Sequence, residues 1–156
     1  MHLMVACIGQ RMPAWVEQGW QEYARRMPRE LQLRLREIPL AKRGRNPDLA
    51  RIRRQESEAL LAAVPAGAHR VALDIGGRPW STEQLAQRME HWQAGGRDCA
   101  LLIGGPDGLD ADCLDQVDER WSLGPLTLPH PLVRVIVAEQ LYRAWTVLRG
   151  HPYHRA

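Results

Sequence analysis

This sequence predicts a single α/β domain with a largely parallel sheet flanked by helices. Short apolar runs alternate along the chain with longer segments of helical period. One run, Asp98 to Ile103, is apolar without alternation, the pattern of a strand buried on both faces. Glycine-rich turns follow several of the runs, as they do where strands end. At 156 residues, with no internal repeat, low-complexity stretch or linker, residues 1–156 read as one domain.

Leu3 to Ile8 is the first strand, and a helix is expected from about Pro13 to Met27, with Val16, Trp20, Tyr23 and Met27 on one face. Leu31, Leu33 and Leu35 alternate with Gln32, Arg34 and Arg36 in a half-buried strand. A basic loop, Lys42-Arg43-Gly44-Arg45, precedes a helix from about Pro47 to Ala63, with Asn46 as its cap. His69 to Ile75 is a third strand, ended by Gly76-Gly77. Ser81 caps a helix that runs to about Ala94 and closes at Gly95-Gly96. After the strand at 98–103 come Gly104-Gly105-Pro106-Asp107-Gly108 and an acidic helical stretch from about Asp110 to Glu119. Trp121 to Leu128 reads as short and extended, and a long helix follows from Pro131 to about Arg149.

Composition narrows the function classes. No long uncharged apolar run is present to span a bilayer, and the first residues lack the charged start and cleavage pattern of a signal peptide. Cys7, Cys99 and Cys113 lack metal-type spacing and suit buried thiols in a reducing cytoplasm. Residues 1–54 hold 12 Lys/Arg against 5 Asp/Glu, whereas residues 55–156 hold 9 against 13. That asymmetry suits a basic face offered to a polyanion, and equally an unevenly charged solvated surface.

Ligands of open parallel sheets gather at the carboxyl ends of strands. Leu73 to Gly77, Ile103 to Gly108 and Leu123 to Leu126 place turn-forming chain there, where glycines let backbone amides approach a ligand. The spacing is neither the dinucleotide fingerprint nor a Walker-type phosphate loop, so a nucleoside-like ligand is the better fit. In the last helix Val133, Val137, Ala138, Leu141, Trp145 and Leu148 cover one broad side, yet Ile136 and Val147 lie opposite. A helix apolar nearly all round needs cover on several sides, and a second subunit is the natural one. Arg134 sits amid its apolar side, either paired with an anion or snorkelling from the helix start. His151 and His154, with His130 upstream, lack the further ligand that a metal site needs, so no metal is expected. Tyr153, His154 and Arg155 suit RNA contact or proton handling, unless the terminus is a frayed end. Lys42, Arg43 and Arg45 are the candidates for phosphate contact.

Read together, Lys42-Arg43-Gly44, Leu101-Leu102-Ile103-Gly104-Gly105-Pro106, Leu126-Thr127-Leu128-Pro129-His130, Glu139-Gln140-Leu141-Tyr142-Arg143-Ala144-Trp145 and His151-Pro152-Tyr153-His154-Arg155 resemble the RlmH family. These are ribosomal RNA pseudouridine N3-methyltransferases of the SPOUT superfamily, and the resemblance spans the chain. It implies a homodimer, a C-terminal trefoil knot and S-adenosylmethionine as cofactor. The cofactor pocket then maps onto Leu73, Gly104, Gly105, Leu123, Gly124, Pro125, Leu126, Thr127 and Leu128. The implied substrate is a pseudouridine in the helix 69 hairpin of 23S rRNA within the assembled ribosome, in the cytoplasm. N3 of the neutral base carries a proton, so a base or a charge-stabilising group is needed. His154 or Tyr153 near the target base, with Arg134 or Arg155 holding charge or phosphate, are the expected catalytic residues. The chain departs from one relative at its end, where Ala156 replaces an acidic residue. A related enzyme acting on another RNA such as tRNA, or a non-catalytic ribosome-binding factor, are the rival expectations.

Overall fold

The computed structural model describes residues 1–154; the expected site residue Arg155, and Ala156, lie outside the described residues. Strands β1 (Leu3–Ile8), β2 (Leu33–Ile38), β3 (His69–Pro79), β4 (Cys99–Ile103) and β5 (Glu119–Ser122) form one sheet in the order β2-β1-β4-β3-β5. Every pairing is parallel. The helices are α1 (Ala14–Ala24), α2 (Leu49–Ala63), α3 (Thr82–Gly95), α4 (Ala111–Asp115) and α5 (His130–Leu148), with short 3-10 turns at Arg29–Leu31 and Pro152–His154.

A parallel sheet needs cover on both faces, and the alternation of side chains along each strand supplies it. All five residues of β4 are buried. Cys99, Leu101 and Ile103 join a core with Trp20 of α1, Met89 of α3 and Leu141 of α5. Ala100 and Leu102 point the other way, into a core with Leu60 of α2 and Cys113 of α4. Burying each such leucine contributes about 1.5–3 kcal/mol. The three cysteines are buried and unpaired; burial pushes the thiols of Cys7 and Cys113 up to about 11.

Four local expectations need correction. Asn46 does not cap the second helix: Asp48 does, its carboxylate accepting from the Arg51 amide at 3.2 Å. Pro47 therefore precedes the helix, with its fixed φ guiding an extended approach. Gly76-Gly77 does not end β3. Leu73 and Arg78 both align with Trp121 of β5, so Asp74 to Gly77 form a bulge and the strand rejoins its partner. A Cβ at Gly77 would lie 2.6 Å from the Arg120 carbonyl carbon, an approach only glycine permits. The acidic helix stops at Asp115, because Glu119 joins β5. Its carboxylate accepts from Trp92 Nε1 at 2.7 Å and meets His69 Nε2 at 2.6 Å. Trp121 to Leu128 is strand only as far as Ser122.

Ser81 caps α3 through a reciprocal capping box with Gln84. Helix α5 is sandwiched in part by its own chain: Val135 packs on Gly19 of α1, and Thr82 of α3 donates to Gln140 at 2.9 Å. Val147 packs against the core that α1 and α3 share, so part of the surplus apolar surface finds its cover within the chain. Among the described residues, no helix is long and apolar enough to cross a membrane.

Candidate active site

A cleft of about 400 Å³ opens at the carboxyl ends of β3, β4 and β5. The bulge after Leu73 forms one wall, Gly104 to Leu109 the second, and the chain after Leu123 the third. Of the residues mapped to a cofactor, Leu73, Gly104, Gly105, Leu123, Gly124, Leu126, Thr127 and Leu128 line it, and Pro125 does not. Trp121, His130 and Val133 complete the lining without having been singled out for it by sequence. Trp121 is 2% exposed and stacks on Trp80 with centroids 5.4 Å apart, which packs that side of the cleft against the core.

His130 opens α5 at the cleft, and its buried Nδ1 has no hydrogen-bond partner among the described residues. Burial pushes its pKa down, and the neighbouring Arg134 guanidinium adds to the effect. The imidazole is therefore neutral at pH 7. Its contribution to stability is present above the ordinary value near 6.5 and is lost as pH falls through the lowered one. Arg134 itself is 1% exposed, donating to Glu37 Oε2 at 2.7 Å and to the Gly9 carbonyl at 3.3 Å. The anion expected for it lies on β2, so this arginine ties the start of α5 to the β1–β2 side of the sheet from within the core. Replacing Glu37 with alanine strands a buried charge and is expected to lower stability by about 3–5 kcal/mol. The shift of the urea midpoint against wild type checks it.

In the basic loop, Arg43 is not a free cation. It donates to Asp107 at 2.7 Å and to Glu56 at 3.3 Å. Lys42 and Arg45 form no ion pair among the described residues, which leaves them available to phosphates. Lys42 lines a groove of about 700 Å³ together with Arg51, Gln55 and Ile52 of α2, and Arg45 stands in sequence between two other lining residues, Gly44 and Asn46.

The tail folds back on α5. His151 N–H donates to the Thr146 carbonyl at 2.9 Å. Tyr153 Oη donates to Glu139 at 3.1 Å, packs edge-on against Tyr142 at 4.7 Å, and lies under the Arg143 guanidinium at 5.0 Å. Arg143 is held by the same carboxylate at 2.7 Å. Burial, followed by the Glu139 charge, pushes the Tyr153 phenol up to about 12, so it stays a donor at neutral pH. His154 Nδ1 is buried without a hydrogen-bond partner among the described residues. Glu139 and Arg143 were legible only as parts of a motif, yet they set the position of Tyr153.

Comparison with known proteins decides what this arrangement belongs to. The family described as Predicted SPOUT methyltransferase matches residues 1–154. The protein called Ribosomal RNA large subunit methyltransferase H in Pseudomonas aeruginosa is 57% identical over 155 residues, covering 99% of this chain and 100% of the relative. Proteins of the same name in Pseudomonas putida and Pseudomonas syringae are 55% and 56% identical over the same shares. The chain belongs to the RlmH family of SPOUT methyltransferases. In this SPOUT methyltransferase the cleft and the tail, among the described residues, do not meet within one chain. The cleft takes only His130 and Val133 from α5, whereas Tyr153 binds Glu139, six residues beyond Val133. At 1.5 Å per residue that is about 9 Å along the helix. The basic loop, by contrast, is joined to the cleft wall through Arg43 and Asp107. Among the described residues, no group of three or more His, Cys, Asp or Glu side chains is arranged to hold a metal ion.

Proposed function

We propose that the protein methylates N3 of a pseudouridine in the helix 69 hairpin of 23S rRNA, on the assembled ribosome in the cytoplasm, using S-adenosylmethionine. One observation carries this: the cleft is lined by all but one of the residues that the family pattern assigns to the methyl donor. The name shared by the full-length relatives supports the ribosomal RNA substrate. A volume of about 400 Å³, lined by Leu73, Ile103 and Leu128 with glycine backbone between them, fits a nucleoside bearing a short polar chain. When bound, S-adenosylmethionine supplies an electrophilic methyl group.

The chain's own residues must orient the acceptor and deal with its proton. His154, whose Nδ1 has no hydrogen-bond partner among the described residues, is the proposed acceptor of the N3 proton. Tyr153, held protonated with its one O–H committed to Glu139, orients the base through its phenol oxygen as an acceptor. Arg134 is committed to Glu37, so holding charge or phosphate at the target falls to Arg155. Lys42 and Arg45 hold the RNA backbone. Because the tail lies along α5 away from its own cleft, the enzyme acts as a homodimer in which the tail of one subunit completes the cleft of the other. Exposed Trp15 and Leu126, at 56% and 76%, supply apolar surface for such a partner. The C-terminal trefoil knot implied by the family belongs to the same proposal.

Calorimetric titration with S-adenosylhomocysteine tests the cleft. Saturable binding that is weakened by substitution of Gly104, with no comparable uptake of ATP or NAD, is the expected result. Absence of binding to the folded protein would contradict the proposal and favour a non-catalytic factor.

A further inference from the structure

Behind the cleft, two adjacent residues of α2 hold the loops on either side of it. Glu56 is 2% exposed and Ser57 1%. Glu56 Oε2 accepts from the Ala41 amide at 3.0 Å and from Arg43 Nη1 at 3.3 Å. The Ser57 hydroxyl accepts from the Asp110 amide at 3.1 Å. One helix thereby anchors the start of the basic loop and the far end of the glycine loop.

Arg43 joins the two loops directly. Its Nη1 also donates to the Ala41 carbonyl at 3.1 Å, which fixes the guanidinium against its own loop. Its Nη2 donates to Asp107 Oδ2 at 2.7 Å. Asp107 lines the cleft and Arg43 does not. Glu56 Oε1 lies 3.1 Å from where a Cβ would stand on Gly105, so the glycine loop rests on the same carboxylate that holds the basic loop. The Arg43 side chain is 28% exposed, against 21% for the side chain of Asp107 and 1% for that of Glu56. A charge-assisted bridge so shielded is stronger than an exposed surface pair.

Building on the functional proposal above, we infer that Arg43 is a positioning residue whose bridge from Glu56 to Asp107 locks the RNA-contacting loop to the cofactor-holding loop. Cofactor in the cleft then stiffens the loop that carries Lys42 and Arg45, and bound RNA stiffens the cleft wall. Coupling of this kind is reciprocal: each ligand raises affinity for the other by the same factor. The lock reverses the sign expected from charge alone. Removing the Asp107 carboxylate makes the face more positive, which by itself strengthens binding to a polyanion. If the carboxylate anchors the loop, its loss weakens that binding.

The test compares wild type with Arg43→Gln, Asp107→Asn and the double variant, after thermal unfolding has shown each to be folded. S-adenosylhomocysteine affinity is measured by calorimetry, and binding to unmodified ribosomes by cosedimentation with and without S-adenosylhomocysteine. In wild type the cofactor analogue is expected to tighten ribosome binding about fivefold or more. Arg43→Gln should bring that factor close to one and weaken analogue binding to the free protein, although Arg43 does not touch the cleft. Asp107→Asn should weaken ribosome binding, and the double variant should add little to either. Arg43→Lys, which keeps one donor for Asp107, should restore part of the coupling. Unchanged coupling and analogue affinity in Arg43→Gln would overturn the lock and leave Arg43 a simple phosphate contact. Tighter ribosome binding by Asp107→Asn would overturn it as well. Wild type that binds neither ligand would fault the functional proposal itself, and the lock would fall with it.

Discussion

Substituting His154 with alanine is expected to lower the rate of methyl transfer by about 10²- to 10⁴-fold, the usual contribution of a positioned general base. Cofactor affinity should stay as in wild type, because His154 is assigned to the target base and is not among the residues that line the cofactor cleft. Tyr153→Phe removes the phenol that donates to Glu139 at 3.1 Å and should give a loss in the same direction. The two variants differ in pH dependence. Without His154 the rate should rise with pH, as solvent takes over removal of the N3 proton. Without the Tyr153 hydroxyl the profile should keep its shape at a lower level, since a phenol pushed up to about 12 does not titrate in the working range. Single-turnover rates on unmodified ribosomes, alongside calorimetry, separate chemistry from binding. Unchanged turnover in both variants would remove the tail from the mechanism.

Gly104→Ala is expected to abolish measurable cofactor binding, a loss of at least about 100-fold. A Cβ at this position would stand 2.8 Å from the carbonyl carbon of Gly108 and 3.1 Å from its oxygen. Both are backbone atoms of the turn that forms the cleft wall, where Gly105 and Gly108 pair in an isolated bridge. The clash therefore cannot be relieved by moving a side chain, and the turn has to open. Overpacking of this kind lowers stability by about 1–3 kcal/mol, which a folded domain tolerates. The variant should unfold cooperatively at a reduced midpoint while failing to bind S-adenosylhomocysteine. Wild-type affinity in Gly104→Ala would mean that the turn does not hold the ligand.

Much of this architecture is carried by short-range pattern. The run at β4 shows burial on both faces because nothing polar interrupts it, and Ser81 with Gln84 marks a helix start within four residues. The cleft was legible for the same reason, since glycine turns at strand ends are local signals. Features that depend on distant chain were not. Glu56 and Ser57 lie within the polar run Arg53 to Glu58, which carries no local sign of burial, and their burial follows from two loops landing on that helix. Nothing near Arg134 names Glu37, which lies 97 residues away and reaches it only because β2 edges the sheet beside β1. The bulge in β3 depends on how closely Gly77 approaches β5, a tertiary contact that two adjacent glycines do not encode.

The central claim is tested most directly by locating the methyl group. Ribosomes from a strain lacking the endogenous enzyme are incubated with this protein and methyl-labelled S-adenosylmethionine, and the helix 69 fragment is analysed by mass spectrometry. One methyl group on N3 of a pseudouridine in that fragment is the predicted result. Label on another nucleotide or another RNA, or no label from protein that binds the cofactor normally, would contradict it.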